Sequence, residues 1–241
     1  MTVLSVNINK IALIRNGRGA DYPNLLQTAL DCEKFGAQGI TVHPRPDERH
    51  VKYSDIPILK SGITTELNVE GYPDERFLSM VIQNRPAQCT LVPDAPDALT
   101  SDGGWDTITH QNYLTEIIAR LHEAKIRVSL FVNADTAMVE GAKKVNADRI
   151  ELYTGAYAHD FYTNKTTAVF PHIAAATRAI EYGLGVNAGH DLNLDNLAYY
   201  KKSLPALDEV SIGHAIVCDA LYYGLQNTIQ LYLKELQQVY K

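Results

Sequence analysis

The sequence predicts an α/β fold, a (β/α)8 TIM barrel, on three observations. Eight apolar runs of strand length recur along the 241 residues, segments with helical spacing lie between them, and residues suited to acid, base or anion chemistry follow most runs. A parallel barrel assembles its active site at the carboxyl ends of its strands, which is where His43, Glu70, Glu151, His190 and His214 fall. The length suits one barrel domain spanning 1–241, and no Pro-, Gly- or Ser-rich linker divides the chain. The alternative is a doubly wound open sheet, which would gather functional residues at one switch point.

Composition sets further bounds. With 46% hydrophobic and 21% charged residues the chain can bury a sizeable core, and a net charge of -6 does not suit nucleic-acid binding. Any phosphate site must therefore be local. Cys32, Cys89 and Cys218 are odd in number and widely spaced, which points away from a disulfide framework or zinc cluster and toward a reducing cytoplasm. No signal peptide is evident, and no run approaches the roughly 18 apolar residues of a membrane span, so a soluble protein is expected.

In chain order, LSVNI leads into NKIALIRNGRG, where Asn7, Asn9, Lys10, Arg15 and Arg18 offer donors and positive charge to an anion. A solvated basic loop is the plainer reading of the same stretch. LLQTALDCEKFG has helical spacing and a stop at Gly36. GITVH delivers His43, followed by Arg45, Arg49 and His50 in a stretch stiffened by Pro44 and Pro46. TTELNV is followed by Glu70, where the mouth of an apolar barrel would raise the carboxyl toward the pKa of a general base; an ion pair with an arginine is the alternative. DERFLSMVIQN reads as helix.

CTLVP precedes the polar loop from Pro93 to Gly104, either a lid over substrate or a surface connection. Leu114, Ile117, Ile118 and Leu121 form an apolar helical stripe, RVSLFV is the fifth strand, and AMVEGAKKV a helix. RIELYT carries Glu151, suited to orient a histidine or to stabilise developing positive charge. HIAAATRAIEYG is helical and stops at Gly183. GVNAG and EVSIGH each place a glycine directly before a histidine, His190 or His214, so that backbone can approach a ligand closely. Gly213 and His214, ahead of the last helix, read as a phosphate clamp. That helix carries Tyr222, Leu225, Ile229, Leu233 and Leu236 on one predicted face, and tyrosines 222, 223, 232 and 240 are compatible with subunit contacts. His110, His122, His159 and His172 receive no role.

Taken together and in order, VNINKIALIRNGRG, ITVHPRPDERH, LNVEG, TSDGG, IELYTGAYA, VNAGHDL and SIGHAI resemble the pyridoxine 5'-phosphate synthase family. The resemblance implies a barrel with additional helices, a homo-octamer built from dimers, and no metal or organic cofactor. It implies condensation of 3-amino-2-oxopropyl phosphate with 1-deoxy-D-xylulose 5-phosphate, releasing inorganic phosphate and water. His43 and Glu70 would accept protons, His190 would donate one, and Glu151 would stabilise a transition state. Asn7, Arg18, Gly213 and His214 would hold the aminoketone phosphate, and Arg45, His50 and Thr100 the sugar phosphate. Many relatives carry Asp-His where this chain has Asn9-Lys10, and Gly where it has Asp191, so substrate contacts at these three positions depart from the family pattern. Three other readings stay open on the residues alone: a metal site made by His43, Glu70, Glu151 and His190 in an isomerase or lyase, a catalytically silent phosphate sensor, and a Schiff-base aldolase using Lys10.

Overall fold

The computed structural model describes residues 1–94, 101 and 103–237. Strands β1 (Val3–Asn7), β2 (Gly39–Val42), β3 (Glu66–Gly71), β4 (Gln88–Leu91), β5 (Arg127–Val132), β6 (Arg149–Tyr153), β7 (Gly185–Gly189) and β8 (Glu209–Ile212) pair in parallel and in chain order. β8 pairs with β1, which closes the barrel. Each of the eight runs read from the sequence is one of these strands.

Side chains alternate across a strand, and the two faces here differ in chemistry. Leu4, Val6, Ile40, Val42, Leu67, Val69, Leu130, Ile150 and Val186 are buried in the apolar core. The other set makes polar contacts between strands inside the barrel: Ser5 Oγ lies 2.6 Å from Thr41 Oγ1, Thr90 donates to Asn68 at 3.0 Å, and Arg149 donates to Asn187 at 3.0 Å. The expectation of an apolar barrel around Glu70 is thus corrected. The lumen is polar, and the apolar layer lies between the strands and the surrounding helices.

The connecting helices are α1 (Asn9–Asn16), α2 (Leu25–Lys34), α3 (Asp55–Gly62), α4 (Glu75–Asn84), α5 (Gln111–Glu123), α6 (Thr136–Lys144), α7 (Gly155–Glu181), α8 (Leu197–Ser203), α9 (His214–Tyr223) and α10 (Leu225–Gln237). Side chains of Asn24, Asp74 and Asp135 cap α2, α4 and α6 by accepting from backbone N–H groups of their first turns. Gly36 and Gly183 follow α2 and α7 at φ 107° and 70°, as expected of helix stops.

Several elements differ from the sequence reading. α1 occupies the stretch read as a basic loop, while α3 and α8 carry no pattern noted above. α7 begins well before His172 and is interrupted at Asn164 (φ -155°, ψ 90°), whose side chain caps the second segment by accepting from Thr167 N–H. The terminal stripe is split by Gly224 at φ 74°. Tyr222 consequently sits on α9 and is 86% exposed, whereas Ile229 and Leu236 are buried on α10.

Candidate active site

The carboxyl ends of the strands surround a cavity of about 580 Å³. Its wall includes His43, Glu70, Glu151, His190 and His214, together with Asn7, Asn9, Lys10, Arg45, His50, Asp191 and Gly213. Arg18 is exposed beyond α1 and is not part of the wall, and Thr100 lies outside the described residues. Arg15, read from sequence as an anion donor, turns the other way. It is buried and paired with Asp55 at 2.8 and 2.9 Å, because its place on α1 faces α3 while Lys10 faces the cavity.

The turn from β1 into α1 organises one side of the site. Asn7 Oδ1 accepts from Asn9 N–H at 3.0 Å, and Asn9 Oδ1 accepts from His43 N–H at 2.9 Å. Asn7 Nδ2 reaches toward Glu70 Oε2 at 3.5 Å. Gly213 stands so close that a Cβ there would lie 2.9 Å from Asn7 Cβ, so the close approach requires glycine. It leads directly into α9, whose first N–H groups have no intrahelical partner and suit an anion.

His43 Nδ1 and Glu70 Oε2 are 4.0 Å apart, too far for a hydrogen bond. A charged pair would raise the histidine and lower the carboxyl, and the opposite holds. Burial, then the charge of Arg45, that of His50 whenever it is protonated, and that of Arg49, hold His43 well below the usual imidazole range. Burial, then Asp94 and Glu209, push Glu70 up to about 8 against weaker opposition from Ser211 and Arg45. Glu151 is likewise raised well above the carboxylate range by burial and by Glu70 and Glu209. Gly189 leaves room for it, since a Cβ there would sit 2.4 Å from Glu151 Oε1. Neutral His43 and a largely protonated Glu70 therefore face the cavity near neutral pH.

His190 has φ 97°, a left-handed conformation that costs roughly 1–3 kcal/mol in a residue with a side chain. Flanking contacts hold it there: Thr154 Oγ1 donates to Gly189 O at 2.7 Å and Asn196 Nδ2 to Asp191 O at 3.2 Å. Its Nδ1 lies 2.8 Å from Asp191 Oδ2, and that hydrogen bond keeps the Asp191 carboxyl below its ordinary range. On the opposite side Arg45 binds Asp94 at 2.6 Å, and Ser101 Oγ donates to the same carboxylate oxygen at 2.6 Å. Asp94, Ser101, Phe131 and Ser211 escaped the sequence reading. Ser211 was within reach of a period-two argument, standing two residues before Gly213 on β8. Among the described residues, no group of three or more His, Cys, Asp or Glu is arranged to hold a metal ion.

A family model described as pyridoxal phosphate biosynthesis protein PdxJ matches residues 4–238. The chain belongs to the PdxJ family. A PdxJ relative from Cytophaga hutchinsonii, named pyridoxine 5'-phosphate synthase, is 63% identical over 238 residues, covering 99% of this chain and 100% of its own. Another of the same name, from Parabacteroides distasonis, is 57% identical over 232 residues, covering 96% and 98%. Among solved structures, a phosphoribosylanthranilate isomerase from Thermotoga maritima aligns with TM-score 0.63 at 12% identity, covering 99% of this chain and 100% of its own. A 4-hydroxy-2-oxoglutarate aldolase gives TM-score 0.65 at 14% identity, covering 98% and 94%. At such identities the two structures share the barrel fold with this PdxJ chain, and the likeness is one of fold alone.

Proposed function

We infer that this PdxJ chain is a pyridoxine 5'-phosphate synthase, condensing 3-amino-2-oxopropyl phosphate with 1-deoxy-D-xylulose 5-phosphate and releasing inorganic phosphate and water. The observation that carries the reading is full-length identity of 63% to a relative of that name. The cavity suits the chemistry. An amine must condense with a ketone, carbon acids must lose protons and two groups must depart, so several acid and base steps share one site.

In this reading His43 and Glu70 accept protons, His190 donates one, and Glu151 stabilises the transition state. Asn7, Arg18, Gly213 and His214 take the aminoketone phosphate, Arg45, His50 and Thr100 the sugar phosphate, with Asn9, Lys10 and Asp191 as further substrate contacts. Basic groups of the wall after β1 (Lys10), β2 (Arg45, Arg49, His50) and β8 (His214) support the binding of phosphate ends, whose binding energy would orient the reacting carbons. No metal or organic cofactor enters the scheme. The protein would work in the cytoplasm, and among the described residues no helix is long and apolar enough to cross a membrane. Exposed Leu221, Tyr222 and Tyr223 on α9 support self-association, as a homo-octamer built from dimers.

The deciding experiment incubates purified protein, stripped with chelator, with both phosphate substrates. Pyridoxine 5'-phosphate and inorganic phosphate should appear in step. Turnover that depends on added metal would favour the metal-assisted alternative, and absence of product with and without metal would favour a silent sensor.

A further inference from the structure

Three basic residues of the cavity wall, Arg45, Arg49 and His50, come from a segment between β2 and α3 that is neither helix nor strand. Such a segment holds its side chains only as well as its own backbone is held. At His50 the backbone is clamped from beneath. Asn16 Nδ2 donates to Arg49 O at 3.0 Å and to His50 O at 2.7 Å, and Arg15 NH2 donates to His50 O at 3.3 Å. The Arg15 guanidinium also forms a two-pronged pair with Asp55 at 2.8 and 2.9 Å, and Asp55 Oδ2 accepts from Lys52 N–H at 2.8 Å. The end of α1, the loop and the start of α3 are thereby closed into one hydrogen-bonded ring.

The imidazole of His50 is set by the same backbone. Its Nδ1 accepts from Val51 N–H at 3.0 Å, so the ring hydrogen belongs on Nε2. We propose that Arg15, through Asp55 and the His50 carbonyl, is a positioning residue that presents His50 to the sugar phosphate as an Nε2–H donor. Neither Arg15 nor Asp55 lines the cavity, so any effect on substrate must pass through the loop. A buried ion pair is a poor device for stability alone, since well-packed apolar side chains of similar volume often serve equally well. Its planar fork does fix direction, holding Asp55 by two prongs and the His50 carbonyl from the same plane, a geometry that lysine's three-donor point charge does not reproduce. The proposal rests on the synthase reading above.

The test is Arg15→Lys, with Asn16→Ala as a second variant that removes the donor to the Arg49 and His50 carbonyls, and the acceptor of Arg15 Nε, while leaving both partners of the Arg15–Asp55 ion pair in place. In folded Arg15→Lys the KM for 1-deoxy-D-xylulose 5-phosphate should rise roughly tenfold, while the KM for 3-amino-2-oxopropyl phosphate stays within about twofold. Asn16→Ala should move the same KM in the same direction. Equal rises in both KM values, or no change in either, would overturn the proposal. Nitrogen-15 histidine NMR separates failure of the proposal from failure of the synthase reading, because it needs no turnover: His50 should report hydrogen on Nε2 in the unsubstituted protein and lose that uniform signature in both variants. An unchanged His50 spectrum in the variants defeats the positioning role even if the protein proves to have another activity.

Discussion

At Glu70 burial and neighbouring carboxylates compete with a serine hydroxyl and an arginine, and the first two win, taking the group to about 8. A base must be deprotonated to act, so kcat/KM should climb as pH rises toward about 8. A rate already flat from pH 6 upward, in the range where Glu70 is mostly protonated, would remove it as the essential base. Glu70→Gln keeps the shape and the Asn7 contact but cannot take a proton. Turnover should fall by roughly 10²-fold or more, while inorganic phosphate titrated calorimetrically binds nearly as before. Near-normal turnover would exclude Glu70 from proton transfer. The sequence placed this residue correctly at a strand end, but its pKa depends on Asp94 and Glu209, which come from other parts of the chain.

The elements that carry these side chains are shaped by short-range rules. Asp74 precedes α4 in an extended conformation and accepts from Phe77 N–H at 2.8 Å, satisfying one of the donors a helix leaves open. Phe77 in turn packs so closely on Gly71, one residue beyond Glu70, that a Cβ there would lie 2.2 Å from its ring. Asp74→Ala should therefore cost about 1 kcal/mol and lower Tm by roughly 2–4 °C, followed by circular dichroism. An unchanged Tm would mean that the cap contributes nothing to the fold. α1 escaped detection because its polar start, Asn9-Lys10, and the basic stretch through Arg15 and Arg18 read as a loop; Asn7 accepts locally at its first residue, and the tertiary contribution is Arg15 buried on Asp55.

At the scale of the whole molecule, a polar lumen gives stability a particular pH dependence. Glu70, Glu151 and Glu209 sit above the ordinary 4.5, so the folded protein keeps protons that the unfolded chain releases, and this contribution is lost as pH rises above about 4.5, for Glu70 through about 8. His43, His50 and His172 sit below 6.5, so the unfolded chain gains protons that the folded state refuses as pH falls from 6.5. The two slopes oppose each other below 6.5, and above it the carboxyls act alone. Tm should therefore fall between pH 6.5 and 8, and fall less steeply in Glu70→Gln. A Tm that is level or rising across that interval would contradict the buried carboxyl cluster.

Local pattern alone determined the eight strands, their parallel arrangement and the placing of five reactive groups at their ends, because a two-residue period and glycine stops are properties of neighbouring residues. Closure of the barrel decided the rest. Whether Arg15 or Lys10 faces the cavity, which face of each strand is polar, and how strongly Glu70 and Glu151 hold their protons all depend on groups far apart in sequence. Those groups meet only when the strands have paired into the barrel, and electrostatics follows distance in space, which no spacing along the chain encodes.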